Sequence, residues 1–279
     1  MTAPAATFFS GANPRLAHDQ ALIPGVVAAL IEAGNVLVAR FETKPEFRER
    51  GDVLRAISDN DTASLSVMRP ALEALHPKAG WAEDELDSGT LDAGEWWVTD
   101  PVEGNINHIH GMPEWGVTAT LVRDNVPVLT AVHLPLSGDS YTAVLGGGAF
   151  LNGQPITPST KTRLDAALAG TGQASPRETA ETFVKIGRST EAMLTAALVL
   201  RVSVPATLQL VQVAAGRMDL FWQHSAVRSG LVSGALLVGE AGGVITDIHG
   251  QPWTLESSDF LATAPALHDE AVSVLSPTA

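Results

Sequence analysis

The chain has 279 residues, 45% of them hydrophobic, and sets 31 Asp and Glu against 17 Lys and Arg for a net charge of −14. That length and apolar content suit one large layered domain or two small ones, and the acidity, with no basic cluster, argues against a nucleic-acid partner and for a small molecule. The absence of cysteine excludes disulfides and thiolate metal sites and fits a reducing compartment.

Met1 to Asn13 carries no basic segment followed by an apolar core, and no later run reads as a membrane span, so a cytoplasmic protein without a membrane partner is expected. From Ala17 to Phe41, Leu22, Val26, Ala29, Leu30, Ala33, Val36 and Leu37 recur at helical spacing, with Pro24 near the start. Lys44 to Asp52 interleaves acids and bases and predicts a mobile loop over a site. Ser58 to Thr62 then precedes Leu65, Met68, Leu72 and Leu75, which places Asp59 and Asp61 at a helix N-terminus, where either reads equally as a simple N-cap.

Pro77 to Trp81 leads into Glu83, Asp84 and Glu85, a polar loop, and the strand-forming run that stops at Asp100-Pro101-Val102-Glu103-Gly104. Pro101 keeps Asp100 extended, so two acids are delivered at a strand end, and Gly104 lets the backbone approach a ligand. A helical turn opened by Asn105, Ile106 and Asn107 would aim free N–H groups at the same point, where a metal-bridged phosphate would fit; a solvated acidic turn is the plain alternative. Three consecutive acids are usually solvated too, but a neighbouring strand end would set Glu83 beside Asp100, with a shared cation offsetting their repulsion.

Beyond Trp115 the pattern becomes short strands, Gly116 to Arg123, Val128 to Leu134 and Tyr141 to Leu145, turned at Asp124-Asn125 and at Gly146 to Gly153, which predicts an antiparallel meander. The glycine triplet lacks the lysine and helix of a phosphate loop. Arg163 to Ala174 reads as a strand into a loop and Ser175 to Thr190 as a surface helix. Pro205 to Ala215 and Ser229 to Ala241 read as buried helices, and Asp219 to Trp222 and Val244 to Asp247 as strands.

The order of these motifs resembles the inositol monophosphatase family across Ala17 to Ala271: an acid cluster on a helix, a Glu-acid pair, Asp100-Pro101-x-acid-Gly, Gly148-Ala149-Phe150-Leu151-Asn152-Gly153, Gly216 to Asp219 and Glu240 to Gly243. The resemblance implies a layered α-β-α-β-α fold, here residues 1–155 and 156–279 as one compact unit, a homodimer, and Mg²⁺-dependent, Li⁺-sensitive hydrolysis of small anionic phosphomonoesters. It implies Asp61 as the residue orienting the attacking water, with Glu83, Asp100 and the Val102 carbonyl as metal ligands.

Several positions depart from the family. Glu103 stands where a shorter Asp is usual, and Asn105 replaces a Thr that helps polarise the water. Gly230 falls where a shared metal-ligand Asp is expected, which weakens one ion. Gln223 takes the place of an acid that contacts substrate hydroxyls, and Val204-Pro205-Ala206 that of a Gly-Ser-Ala turn. With Gly104 and Asn105, Gln223, His224 and Arg228 make up the expected substrate side, His224 and Arg228 suiting an anion bound without the second metal. Three functions follow: a divergent Mg²⁺ phosphatase of a small polar metabolite, an enzyme of changed acid-base chemistry on the same fold, or a ligand-binding module without catalysis.

Overall fold

The computed structural model describes residues 13–41, 46–83, 88–175, 178–225 and 227–278. Two long helices open it, α1 (Leu16–Val38) and α2 (Arg50–Leu75). The apolar stripe of α1 is buried as its spacing predicts, from Leu22 to Leu37. The helix starts early enough that Pro24 lies in its interior rather than its first turn. By length and composition α1 would span a membrane, but here Val26, Leu30 and Leu37 are fully buried against the protein.

The start of α2 corrects the sequence reading. Glu49 and Asp52 form a reciprocal capping box, so the helix begins inside the charged segment expected to be a loop. Ser58 to Thr62 therefore sits mid-helix; Asp59 is exposed on its outer face, and neither it nor Asp61 is a cap. Residues 44 and 45 of the expected loop lie outside the described residues.

β1 (Gly80–Trp81) pairs in parallel with β2 (Glu95–Glu103), which leads through the short helix α3 (Asn105–Ile109) to an antiparallel meander. The meander comprises β3 (Gly116–Arg123), β4 (Val126–Leu134), β5 (Asp139–Val144), β6 (Gly148–Leu151) and β7 (Gln154–Pro155), so the first sheet runs in chain order from β1 to β7. The second sheet contains β8 (Leu168–Thr171), and helix α4 (Ala180–Ala196) leads from it to β9 (Val199–Val202). After them come α5 (Ala206–Ala214), β10 (Leu220–Gln223), α6 (Ser229–Glu240), β11 (Val244–Thr246), β12 (Phe260–Thr263) and α7 (His268–Leu275). Its order is β11-β12-β10-β8-β9, with parallel pairing on either side of β8 and antiparallel pairing on either side of β12. The short apolar runs of β9 and β12 and the helix α7 went unread in the sequence.

α1 and α2 cover one face of the first sheet, α5 and α6 lie between the sheets, and α4 and α7 close the far side. The result is a five-layered α-β-α-β-α sandwich. Strand alternation allots residues to layers: Phe221, Phe260 and Ala262 face the middle helices, whereas Leu220, Trp222 and Leu261 face α4 and α7. Gly34 lets α1 approach the first sheet, since a Cβ there would lie 2.7 Å from Pro135.

An ion network pins α1 to the start of β2 and the end of β3. Buried Asp19 receives both terminal nitrogens of Arg123, whose Nε donates to Glu95, and Arg15 and His76 contact the same carboxylate. Burial alone would raise the Glu95 carboxyl, but hydrogen bonds from Arg123, His76 and Arg15 outweigh it and hold it down at about 2, against an ordinary 4.5. A depressed carboxyl contributes stability above its ordinary value and loses it as pH falls through its folded value. The gap in melting temperature between wild type and Glu95→Gln should therefore be constant above about pH 5 and close as pH falls from 4.5 to about 2 in thermal-unfolding scans.

Candidate active site

The site is built on an irregularity at the end of β2. Asp100 is paired with Thr118 and Glu103 with Gly116, so β2 holds one residue more than β3 across this interval. Pro101, which has no N–H to give the ladder, occupies the bulge. In a regular strand Asp100 and Glu103 would point to opposite faces; the extra residue turns them to one side, while Val102 enters the core. The two carboxyls are hydrogen-bonded to each other, and the Val102 N–H donates to Asp100 Oδ1 at 3.0 Å.

α2 approaches this bulge with Ser64 and Asp61, one helical turn apart. Ser64 donates to the Pro101 carbonyl at 2.7 Å, which fixes the helix to the strand end and brings Asp61 to the acids. Asn105 ties the far side: its amide donates to Asp61 Oδ1 at 2.7 Å and to the Ile57 carbonyl at 3.0 Å, and its carbonyl accepts from Asn60 at 3.1 Å. Asn60 in turn accepts from Arg40 Nε and contacts His108 Nδ1, and the other ring nitrogen of His108 meets the Leu37 carbonyl. Burial lowers His108, so it is a neutral packing residue of this network. His110 lies outside it, capping the Ile106 carbonyl.

Gly104 is required twice over. Its φ of +83° is left-handed, and an added Cβ would sit 2.8 Å from the Glu114 carbonyl and 3.0 Å from Pro205. Asn107 locks the same turn by donating to the carbonyls of Glu114 and Val204. The predicted helical turn forms, but the Asn107 N–H is used inside it, donating to the Gly104 carbonyl at 2.8 Å, and is not offered to a ligand. Behind the turn lies a cavity of about 460 Å³ lined by Glu114, Trp115, Pro205, Arg201 and Arg217, which does not include Asp61, Asp100 or Glu103.

Electrostatically the site is under tension. Burial raises Asp100 well above the carboxylate range, and the neighbouring charges of Glu103 and Asp61 add to that rise. Burial raises Asp61 to about 6, opposed by the Asn105 hydrogen bond. Among the described residues, no group of three or more acids or histidines already has the arrangement of a metal centre.

Glu83 departs from its expected place. Its strand does run beside β2, but its exposed carboxylate forms a two-fold pair with Arg69 at 2.9 Å, and that pairing lowers it. Arg69 also stacks over Trp81 and pairs with Glu73, so it is held in place to receive Glu83. Asp84 and Glu85 lie outside the described residues.

The expected substrate side is only partly assembled. Gln223 is buried at the end of β10. His224 points away from it: strand alternation sends its ring toward α4, where Nε2 meets Ser189 Oγ at 3.0 Å beside Trp222, and burial lowers it to a neutral ring. It is therefore no cation for an anionic ligand in this structure. Arg228, at the start of α6, is buried and donates to the Gly89 carbonyl at 2.8 Å, binding α6 to the loop before β2. Gly230 leaves open space, with no heavy atom within 4 Å of a would-be Cβ. Sequence reasoning missed Asn60, Ser64 and Thr207, buried polar residues with no local motif to mark them.

Five layers and a bulged strand that turns two acids to one side define a layered α/β protein with an acidic site at a strand end. Residues 19–277 match the inositol monophosphatase family, and the chain belongs to that family. It is 31% identical over 222 residues to a putative Nus factor SuhB of Neisseria meningitidis serogroup B, covering 79% of this chain and 84% of that one. It is 29% identical over 258 residues to inositol monophosphatase 2 of Solanum lycopersicum, covering 89% and 96%. The solved structure of inositol monophosphatase from Anabaena (Nostoc) superimposes with a TM-score of 0.74 at 25% identity, over 93% of this chain and 97% of that one.

The raised Asp61 gives a signed prediction. An acid whose carboxyl is raised on folding costs stability once pH exceeds its folded value and costs nothing below its ordinary value. Asp61→Asn should therefore raise the melting temperature of the protein in chelator at pH 8 by a few degrees, with the gain fading as pH falls from about 6 to 3.8.

Proposed function

We propose that the protein hydrolyses a phosphomonoester of a small, polar, anionic metabolite with Mg²⁺, at a metal site reduced from the family pattern. The observation that carries this reading is the convergence of Asp100, Glu103 and Asp61 at the bulged end of β2. Acids gathered together and largely removed from water are costly unless a cation discharges them. The donor set fits one hard ion, with Asp100 and Glu103 supplying carboxylate oxygens and Val102 its carbonyl. It gives little to a second ion, because position 230 is glycine. Glu83 would have to release Arg69 before contributing.

Mg²⁺ bound there supplies Lewis-acid polarisation of the phosphoryl group. The chain's own residues do the rest. Asp61, raised to about 6, accepts a hydrogen bond from water and takes its proton as water attacks. Asn105 cannot relay a proton as a hydroxyl does, so its part is to orient Asp61 through the 2.7 Å hydrogen bond. Gly104 lets the chain turn directly after the acids, its α-carbon packed against Glu114 and Pro205, and Gln223 in place of an acid favours a substrate group that accepts as well as donates hydrogen bonds. Arg228 would meet an anion only from its place beside the Gly89 loop. The family resemblance supports a cytoplasmic homodimer.

Phosphate release from inositol phosphate, a nucleotide bisphosphate and a sugar bisphosphate, with Mg²⁺ or with chelator, tests this reading. Mg²⁺-dependent turnover, lowered more than ~100-fold by Asp100→Asn, is the expected result. No release from folded protein in either condition favours the second reading, changed chemistry or ligand binding alone, for which Gly230 and Asn105 speak. Gly230→Asp enters open space near the start of α6 and should tighten Mg²⁺ binding by roughly tenfold in calorimetry.

A further inference from the structure

We propose that Thr207 is a positioning residue for Glu103, fixing its carboxylate from the side where the family's Asp is missing. The inference rests on the metal-dependent reading above. Glu103 is one methylene longer than the residue usual at this position, and its carboxylate reaches α5, where Thr207 Oγ1 donates to Oε2 at 2.9 Å. The same hydroxyl lies 3.1 Å from the Gly230 carbonyl and 3.5 Å from Ser233 Oγ on α6. Thr207 and Ser233 are both fully buried.

The hydroxyl has little freedom. α5 and α6 are pressed together where Leu210 lies against Gly234, a Cβ at which would meet Leu210 at 2.3 Å. Thr207 is thus held at a fixed height between the two helices. It has one proton, for which Glu103 at 2.9 Å is the nearer acceptor and the Gly230 carbonyl at 3.1 Å the farther, and its oxygen can accept from Ser233. Glu103 is held by Thr207 on the side away from Asp100. Position 230 presents only its backbone carbonyl to this hydroxyl, 3.1 Å away, where a carboxylate side chain is missing. A longer acid at 103 needs such an anchor, because its additional torsion would otherwise let the donor oxygens swing.

Thr207→Val and Thr207→Ser in the full-length protein separate this role from packing. Val keeps the shape and loses the hydroxyl; Ser keeps the hydroxyl and loses a methyl group. Calorimetric titration with Mg²⁺ should show Val weakening binding by roughly tenfold or more and Ser staying within about twofold of wild type. Unfolding in chelator should show the same order, Val below Ser. The reverse order, with Val like wild type and Ser impaired, would overturn the proposal in favour of plain packing. Equal Mg²⁺ affinity in all three proteins would also overturn it while leaving the phosphatase reading intact. A wild type that binds no Mg²⁺ and releases no phosphate would overturn both, and the expected Val and Ser pattern without phosphate release would overturn the phosphatase reading alone.

Discussion

The site depends on one extra residue in β2. An even strand cannot place positions 100 and 103 on the same face, and without the bulge Glu103 would project where Val102 now enters the core. Everything near the site is arranged around that kink. Ser64 holds the bulged carbonyl, Gly104 turns the chain immediately afterwards, and Asn107 fastens the turn to the segments bearing Glu114 and Val204. Pro101 makes the kink inexpensive because it has no N–H to leave unpaired.

The gathered acids work against the stability of the protein that holds them. Burial and the charges of Glu103 and Asp61 raise Asp100, burial raises Asp61, and no lysine or arginine is hydrogen-bonded to Asp61 or Asp100 among the described residues. Elsewhere the chain treats its buried acids differently. Asp19 and Glu95 share Arg123, and Asp219 takes Lys161 at 2.7 Å together with the Leu168 N–H. Buried carboxylates are ordinarily matched in this fold, and the acids at the end of β2 are the group that would gain most from an added cation.

Helix α2 links scaffold and site. Its start is fixed by a capping box on the surface, its middle carries Asn60, Asp61 and Ser64 to the strand end, and its last turns bury Met68 and Leu72 against the core. Asn60 and Asn105 bridge it to α3, so the orientation of Asp61 is set by the Asn105 amide, which Asn60 holds in turn. The same helix carries Arg69, which draws Glu83 outward. One helix thus supplies an acid to the site and holds another away from it.

The meander from β3 onward, the buried helices α5 and α6, and the acid-bearing turn at Asp100 to Gly104 are legible in the sequence alone, because each is written in local periodicity or in proline and glycine chemistry. The family resemblance added the fold class and its five layers. Tertiary structure decided the rest. The charged run before Asp52 read as a loop because a capping box is polar, and only the helix behind it distinguishes the two. Glu83 went to Arg69, His224 to Ser189 and Arg228 to the Gly89 carbonyl, choices made by partners far away in sequence. The pairing of Glu103 with Thr207 spans 104 positions and leaves no periodic trace, since a hydroxyl on a buried helix face acquires its partner only when the layers pack.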